Sequence, residues 1–301
     1  MFKRKRVLLV LFSAAAIVSF CLYFIYTETA SCAQSYKSFQ KLEDKVAVIA
    51  KNFKGDYSYV IKNIEKPFCE ISRNENKIFP AASVIKLPIA AVAFNAVREG
   101  KVSLSQKFTI SLKDVASGSG IIKTRPLPSV LTFGEIIEIM IANSDNTATN
   151  KIISILGYKY LNKGFKKLGL KRTVLKRKMM DFSGRKRGIE NYTSASDIVF
   201  LLEEIYKGEL VDKNSSEMLL SFLSKQKIND RIPRYLPKNT KVAHKTGLER
   251  GVVHDAGIIF SSRGDCVVCV FTKRVKDYSK AKKFIARLSL ATYNNLHVQQ
   301  Q

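Results

Sequence analysis

The residues best suited to nucleophilic chemistry begin with a serine and a lysine one helical turn apart. Ser83 and Lys86 open a predicted apolar helix over residues 83–99, and positions i and i+3 share a helix face, so the hydroxyl and the amine can meet. A serine hydroxyl needs a neighbouring base to act as a nucleophile, and a lysine can be that base when burial and nearby cations lower its pKa. The spacing alone also fits an N-cap serine followed by a solvated lysine.

A second polar motif lies between two predicted helices. Ser144, Asp145 and Asn146 follow an apolar helix over residues 132–141 and precede another over 147–156. In a catalytic interpretation Ser144 passes a proton to a leaving amine and the Asn146 amide binds a substrate carbonyl, while Asp145 fixes the turn. A simple capped turn would have the same composition.

The third motif, Lys245-Thr246-Gly247, ends a predicted strand. Here Lys245 would supply positive charge that lowers the pKa of the other groups, and Thr246 would donate a hydrogen bond to a substrate carboxylate. Gly247 would let a substrate backbone approach the strand edge. An ordinary strand-to-turn exit fits the tripeptide equally well.

Hydrophobic periodicity places strands near both ends of the chain and helices between them. Capping-box spacing starts helices at Thr132 and at Ser194, whose N3 residues are Glu135 and Asp197. We therefore expect an α+β fold: one five-stranded antiparallel sheet from both termini, flanked by helices, with an all-helical subdomain inserted at about 84–240. Predicted helices are 37–52, 83–99, 132–141, 147–156, 194–206, 217–225 and 278–296; predicted strands are 57–64, 68–71, 241–245, 256–261 and 266–272; a long basic loop spans 171–192.

In this order and these contexts, the three motifs resemble those of the penicillin-recognising serine enzymes, most closely class A β-lactamases. The resemblance extends to the surrounding segments 79–88, 141–150, 242–247 and 254–256, and covers residues 37–296. It implies that Ser83 attacks a β-lactam or peptide carbonyl to form an acyl-enzyme. It further implies an oxyanion site between the backbone N–H groups of Ser83 and Leu248.

The sequence departs from the family pattern at two places. Where class A enzymes have a loop glutamate that activates the deacylating water, this chain has Met179, and the asparagine expected four residues later is Ser183. Asp181 is the nearest carboxylate and a candidate base, although a structural ion pair with Arg177 or Lys178 would also explain it. The arginine that many members use to hold a substrate carboxylate is replaced by Val253, and Arg250 is the nearest candidate.

Three functions follow from this pattern. The first is a β-lactamase-type hydrolase with slow deacylation or with Asp181 as the water base. The second is a D,D-carboxypeptidase, a penicillin-binding protein acting on cell-wall peptide. The third is a non-catalytic relative that uses its basic surface to bind the cell envelope. The expected small-molecule partner is thus a β-lactam or a cell-wall peptide.

The first 33 residues are predicted to be an export segment. Four basic residues, 3–6, precede an uncharged stretch over residues 7–26, which is long enough to span a bilayer. The segment is either a retained membrane anchor or a signal peptide cleaved near Ser31-Cys32-Ala33, and Cys32 also leaves a lipoprotein site open. Each alternative places the catalytic domain, residues 34–301, outside the cytoplasmic membrane.

The composition limits the classes of molecule that the chain is expected to bind. The chain has 301 residues and a formal net charge of +26, of which residues 34–301 carry +23, so anionic envelope polymer is a possible partner. The basic residues are spread along the chain without a recognition motif, which argues against nucleic acid. No zinc spacing and no cofactor motif are present, and Cys69, Cys266 and Cys269 are expected to be buried thiols. We expect a monomer.

Overall fold

The structure is a computed structural model that describes residues 37–66 and 69–297. The predicted export segment therefore lies outside the described residues, as does Phe68 in the predicted second strand. Among the described residues, no helix is both long and apolar enough to cross a bilayer. In chain order the elements are α1 (37–51), β1 (Asp56–Asn63), β2 (Glu70–Arg73), β3 (Phe79–Pro80), α2 (Lys86–Arg98), β4 (Lys107–Ile110), β5 (Ser129–Thr132), α3 (Phe133–Ala142), α4 (Asn146–Lys167), α5 (Phe182–Lys186), β6 (Tyr192–Thr193), α6 (Ala195–Lys207), α7 (Lys213–Ser224), β7 (Val242–Glu249), β8 (Val252–Ile259), β9 (Cys266–Lys273) and α8 (Tyr278–His297).

The two ends of the chain meet in one sheet, which confirms the predicted fold class. Five antiparallel strands run in the order β2-β1-β9-β8-β7. The pairing of β1 with β9 joins the N-terminal and C-terminal strands in register from Asp56↔Lys273 to Asn63↔Cys266. Every residue of β8 is buried, because this strand has helices packed on both of its faces. The outermost strand β7 is an edge strand, and its free side borders the site described below.

The sheet separates two hydrophobic cores. Helices α1 and α8 pack on one face, and the helical region from α2 to α7 packs on the other. Cys266 belongs to the first core and Cys269 to the second, as expected for residues three apart on a strand. Both are buried thiols, and Cys69 is buried beside them in the α1–α8 core. Burial raises the pKa of Cys266 and of Cys269 above that of an exposed thiol.

Helix starts follow the capping signals, with one correction. At α3 the predicted capping box forms, because Glu135 N donates to Thr132 Oγ1 and Thr132 N donates to Glu135 Oε2. At α6 only half of it forms: Asp197 N donates to Ser194 Oγ, but the Asp197 carboxylate instead accepts a hydrogen bond from Thr173 Oγ1 at 2.7 Å. The carboxylate therefore anchors the preceding loop rather than closing the cap.

Several predictions of element bounds were wrong. The inserted region 84–240 is not all-helical, because it contains β4, β5 and β6. Strand β7 continues to Glu249 and β8 begins at Val252. Helix α4 continues to Lys167 across a break at Gly157 (φ 77°); its second half is largely polar, so apolar periodicity did not reveal it. Helix α7 begins at Lys213, where the Asp212 side chain caps it. The predicted long loop 171–192 contains the short helix α5.

Candidate active site

Ser83 lies on a short 3-10 turn, Ala82–Ile85, that leads directly into α2. Ala82 has a φ of +44°, a left-handed conformation that costs a residue with a side chain roughly 1–3 kcal/mol. Ser83 retains 9% of its surface exposed, whereas Lys86, one turn later, is fully buried. The turn thus leaves a hydroxyl accessible above a buried amine.

The loop between α3 and α4 brings Ser144 and Asn146 to that amine. Lys86 Nζ donates to Ser144 O at 2.6 Å, to Asn146 Oδ1 at 2.8 Å and to Ser144 Oγ at 3.2 Å. Ser144 itself has a φ of +51°, so a second strained residue lies at the same place. Such clustering of strain is typical of functional sites.

Strand β7 supplies the third motif. Lys245 is fully buried, and its Nζ donates to Ser144 Oγ at 2.9 Å and to Thr246 O at 3.0 Å. A Cβ on Gly247 would lie 3.1 Å from Val84 Cγ2, so β7 contacts the residue that follows Ser83. The predicted oxyanion residues, Ser83 and Leu248, each adjoin this contact.

The two lysines are buried close together, which changes their acidity. Burial holds the pKa of Lys86 well below its usual value, and the Lys245 charge lowers it further against an opposing effect of Asp145. Burial also lowers the pKa of Lys245 to about 7, with Asp255 opposing the shift and Arg231 adding to it. Burial and the neighbouring Lys245 thus both favour the neutral form of Lys86, which is the form that can accept a proton.

Asp145 fixes the turn, as the sequence predicted. Its Oδ1 caps α4 by accepting a hydrogen bond from Ala148 N, and its Oδ2 accepts one each from Ile121 N and Ile122 N. A Cβ on Gly120 would lie 2.2 Å from Asp145 Oδ2, so this loop passes too close for any other residue. The loop over residues 117–120, which consists of serine and glycine, therefore forms one wall of the site. The sequence analysis did not assign this role to it.

On the same wall, the Asn146 side chain joins the loop to Lys86. Asn146 Nδ2 donates to Ser117 O at 2.9 Å, while its Oδ1 accepts from Lys86 Nζ. The buried amide is thereby fixed in orientation between this loop and the Lys86 amine.

The loop where a glutamate was expected presents two methionines. Asn150, four residues after Asn146 in α4, holds the backbone of Met179 by accepting from Met179 N and donating to Met179 O. The Met179 side chain packs against the helical core. Met180, with a φ of +64°, borders Gly118 beside the Asn146 amide. Position 179 therefore lies next to the Ser144–Asn146 turn without a carboxylate.

Asp181 has a structural contact that the sequence analysis did not anticipate. Its Oδ1 accepts from Gly184 N at 2.8 Å and caps α5. The ion-pair explanation of Asp181 was wrong, because Arg177 Nη2 lies 2.7 Å from Glu190 and 2.6 Å from Glu249. These pairs connect the loop to the end of β7.

A buried histidine, which the sequence analysis also did not identify, ties the nucleophile turn to the sheet. His254 Nδ1 accepts from Thr272 N at 3.0 Å, so the proton resides on Nε2, which donates to Pro80 O at 2.8 Å. Burial lowers the pKa of His254 to about 4, and the ring is neutral at pH 7. Pro80 immediately precedes the turn that carries Ser83.

The comparisons with known proteins agree with this geometry. The model of the beta-lactamase enzyme family matches residues 41–296. The chain belongs to this family. Beta-lactamase VEB-1 of Pseudomonas aeruginosa is 27% identical over 309 residues, with 96% of this chain and 97% of the relative covered. It follows that the chain is a class A β-lactamase-type serine hydrolase.

Two solved structures of this family illustrate the range of its members. A beta-lactamase from Sphaerobacter thermophilus is 28% identical, with a TM-score of 0.77 over 85% of this chain and 96% of the other. PBP-A is 30% identical, with the same TM-score and coverage. A mutant of PBP-A has been solved as an acyl-enzyme complex with penicillin G, at a TM-score of 0.76 over 87% of this chain and 96% of the other.

Among the described residues, no group of three His, Cys, Asp or Glu side chains lies close enough to hold a metal ion.

Proposed function

We propose that the protein opens β-lactam rings through an acyl-enzyme at Ser83 and releases the acid slowly. The observation that carries the proposal is the position of Ser144 Oγ, which is within hydrogen-bond distance of both Lys86 and Lys245. Two buried amines around one hydroxyl, beside an accessible serine, provide a base, a relay and a cation in one cleft. PBP-A, whose mutant was captured with penicillin G, supports acylation chemistry on this fold.

Lys86 acts as the base in acylation. A neutral amine has two hydrogens, and two oxygens that can only accept, Ser144 O and Asn146 Oδ1, take them. The nitrogen lone pair is then free to accept the Ser83 proton as Ser83 Oγ bonds to the lactam carbonyl carbon. Ser144 relays a proton to the ring nitrogen as the C–N bond breaks.

The remaining predicted residues bind the substrate. The N–H groups of Ser83 and Leu248 hold the oxyanion, and the Asn146 amide holds a substrate carbonyl. Thr246 donates to the substrate carboxylate, whose charge Lys245 balances, and Gly247 leaves room along the edge of β7. Val253 is buried in the core, so no arginine on β8 assists this contact.

We expect slow deacylation because, in the described loop, neither position 179 nor Asp181 offers a free carboxylate to activate water. Met179 replaces the family's glutamate, and Asp181 caps α5. General-base catalysis contributes about 10²–10⁴-fold to a rate, so we expect an acyl-enzyme that persists long enough to be isolated.

We also propose that the catalytic domain acts outside the cytoplasmic membrane. The support is the basic and then uncharged sequence of residues 3–26, which predicts export. An alkaline phosphatase fusion after residue 36 should be active in a bacterial host, and an inactive fusion would place the domain in the cytoplasm.

The proposed reaction is tested with the full chain and nitrocefin. Intact-mass spectra should show a covalent adduct on the wild type and none on Ser83→Ala, and wild-type hydrolysis should be slow but measurable. A Ser105→Ala variant, at a position far from the cleft, should behave as the wild type. An adduct on Ser83→Ala would exclude this nucleophile, and faster release of D-alanine from a D-Ala-D-Ala peptide would favour the carboxypeptidase hypothesis.

A further inference from the structure

A row of basic residues begins just before α8 and continues along one side of this helix, on the opposite face of the sheet from Ser83. Lys276, Lys280, Lys283 and Arg287 are exposed and recur at helical spacing. Within the described residues, Lys276, Lys283 and Arg287 have no ion-pair partner, and only Asp277 lies near Lys280, at 3.7 Å. Like charges four residues apart destabilise a helix, so this row is unfavourable for folding alone.

The row borders a groove between α1 and α8. One cavity of about 760 Å³ is lined by Phe53 and Phe284, whose ring centroids are 4.4 Å apart in a stacked arrangement, and by Lys54, Arg274 and the basic row. A second cavity of about 540 Å³ continues it along Val48, Ile49, Leu290 and Ala291. Ile49 and Arg287 line both cavities, and we call the continuous depression the α1–α8 groove.

The groove combines a cluster of cations with exposed apolar side chains, and the two seldom occur together on a surface that binds no partner. Six cations and a single acid, Asp277, surround its first cavity, while Val48 beside the second is 65% exposed. Cations attract phosphate groups, and an apolar floor favours hydrocarbon over water. A soluble polyanion would use the charges and leave the floor unused, whereas an anionic amphiphile would use both.

We propose that the α1–α8 groove binds anionic phospholipids at the membrane surface, with their phosphate groups on its cations and their hydrocarbon against its apolar residues. The inference depends on the proposed export of the domain. An anchor over residues 7–26 would leave residues 27–36 before α1, a connection of at most about 35 Å when extended. That short connection keeps the groove at high effective concentration near the lipid, and each basic residue close to an anionic surface adds to the attraction.

This docking leaves catalysis unobstructed. The groove is formed by α1 and α8, whose core lies across the sheet from the core that contains Val84 and Ile85. With α1 and α8 against the lipid, the cleft at β7 and the Ser83 turn faces away from the α1–α8 side. Charge changes in the groove should therefore alter lipid contact without altering acylation.

The test is lysine labelling of the full chain in lipid nanodiscs. Discs of pure phosphatidylcholine are compared with discs that contain about 30 mol % phosphatidylglycerol, and acetylation of each lysine is followed by peptide mass spectrometry. We expect Lys54, Lys276, Lys280 and Lys283 to react at least about threefold more slowly in the anionic discs, and the difference to vanish in about 0.5 M NaCl. Lys159, Lys163 and Lys166, exposed on α4, should react equally in both.

Two charge-reversal variants provide matched controls. Lys276→Glu/Lys283→Glu/Arg287→Glu should remove the protection of Lys54 and Lys280, whereas Lys159→Glu/Lys163→Glu/Lys166→Glu should preserve it. Both should form the nitrocefin adduct at the wild-type rate, which separates this inference from the proposed reaction. Equal labelling of the groove in the two discs, or protection by soluble polyphosphate but not by phosphatidylglycerol, would overturn the lipid assignment.

Discussion

Lys245 Nζ lies 2.9 Å from Ser144 Oγ, although 101 positions separate the two residues in the chain. If that hydroxyl relays the proton, Ser144→Ala should slow acylation by about 10²–10⁴-fold. Stopped-flow measurement of adduct formation with nitrocefin gives the rate. A wild-type rate in Ser144→Ala would remove Ser144 from the mechanism.

Ser144→Gly provides the matched variant for this experiment. Because Ser144 has a φ of +51°, a glycine accepts the backbone conformation that an alanine strains. We expect Ser144→Gly to acylate as slowly as Ser144→Ala. Its free energy of unfolding should be higher than that of Ser144→Ala by about 1 kcal/mol, as measured by denaturant unfolding. Equal stability of the two variants would mean that the turn carries no strain.

The acidity of Lys245 predicts an alkaline limit to acylation. Burial lowers the pKa of Lys245 to about 7, so the amine is charged below that pH and neutral above it. If the cation binds the substrate carboxylate, the second-order rate of acylation should fall as the pH rises through about 7. Arginine stays charged, so Lys245→Arg should lose this limb. A wild-type rate that stays constant well above neutral pH would contradict the role of the charge.

The strands and the helix starts could be predicted from the sequence because they depend on local signals. A short continuous apolar run identifies β9, and Thr132 with Glu135 identifies the start of α3 by capping chemistry. The contact of Lys245 with Ser144, by contrast, was expected only from the family resemblance, because no local pattern links positions so far apart.

Contacts made by a single side chain across the fold could not be predicted in this way. Asp197 satisfied the capping-box spacing, yet its carboxylate bonds Thr173 in a loop that no periodicity describes. His254 was included only in a segment that resembles the family, because its partners Pro80 and Thr272 are defined by tertiary packing. Met179 was identified as a missing glutamate by alignment, but the Asn150 contacts that fix its backbone appear only in three dimensions.

Restoring a carboxylate at position 179 should accelerate deacylation. Asn150 holds the Met179 backbone beside the Ser144–Asn146 turn, so a Met179→Glu side chain can reach water near the acyl group. We expect the adduct lifetime to shorten by about tenfold or more, as followed by intact mass after nitrocefin is removed. Met180→Glu, which places the carboxylate beside Gly118, and Asp181→Asn, which removes the charge but keeps an acceptor for the helix cap, should leave the lifetime within about twofold of wild type. A faster release in Met180→Glu than in Met179→Glu would show that residue 180 faces the acyl carbonyl.

The His254 bridge predicts a linked loss of stability and of acylation. His254→Phe fills the same space but leaves Pro80 O and Thr272 N without their buried partner, at a cost of about 1–3 kcal/mol for each group. Since Pro80 leads into the Ser83 turn, the remaining folded protein should also acylate more slowly. His254→Gln keeps one donor and one acceptor and should recover part of both losses, as measured by urea unfolding and stopped-flow acylation on the same samples. If His254→Phe lost stability while its folded fraction acylated at the wild-type rate, the histidine would hold the sheet together without positioning Ser83.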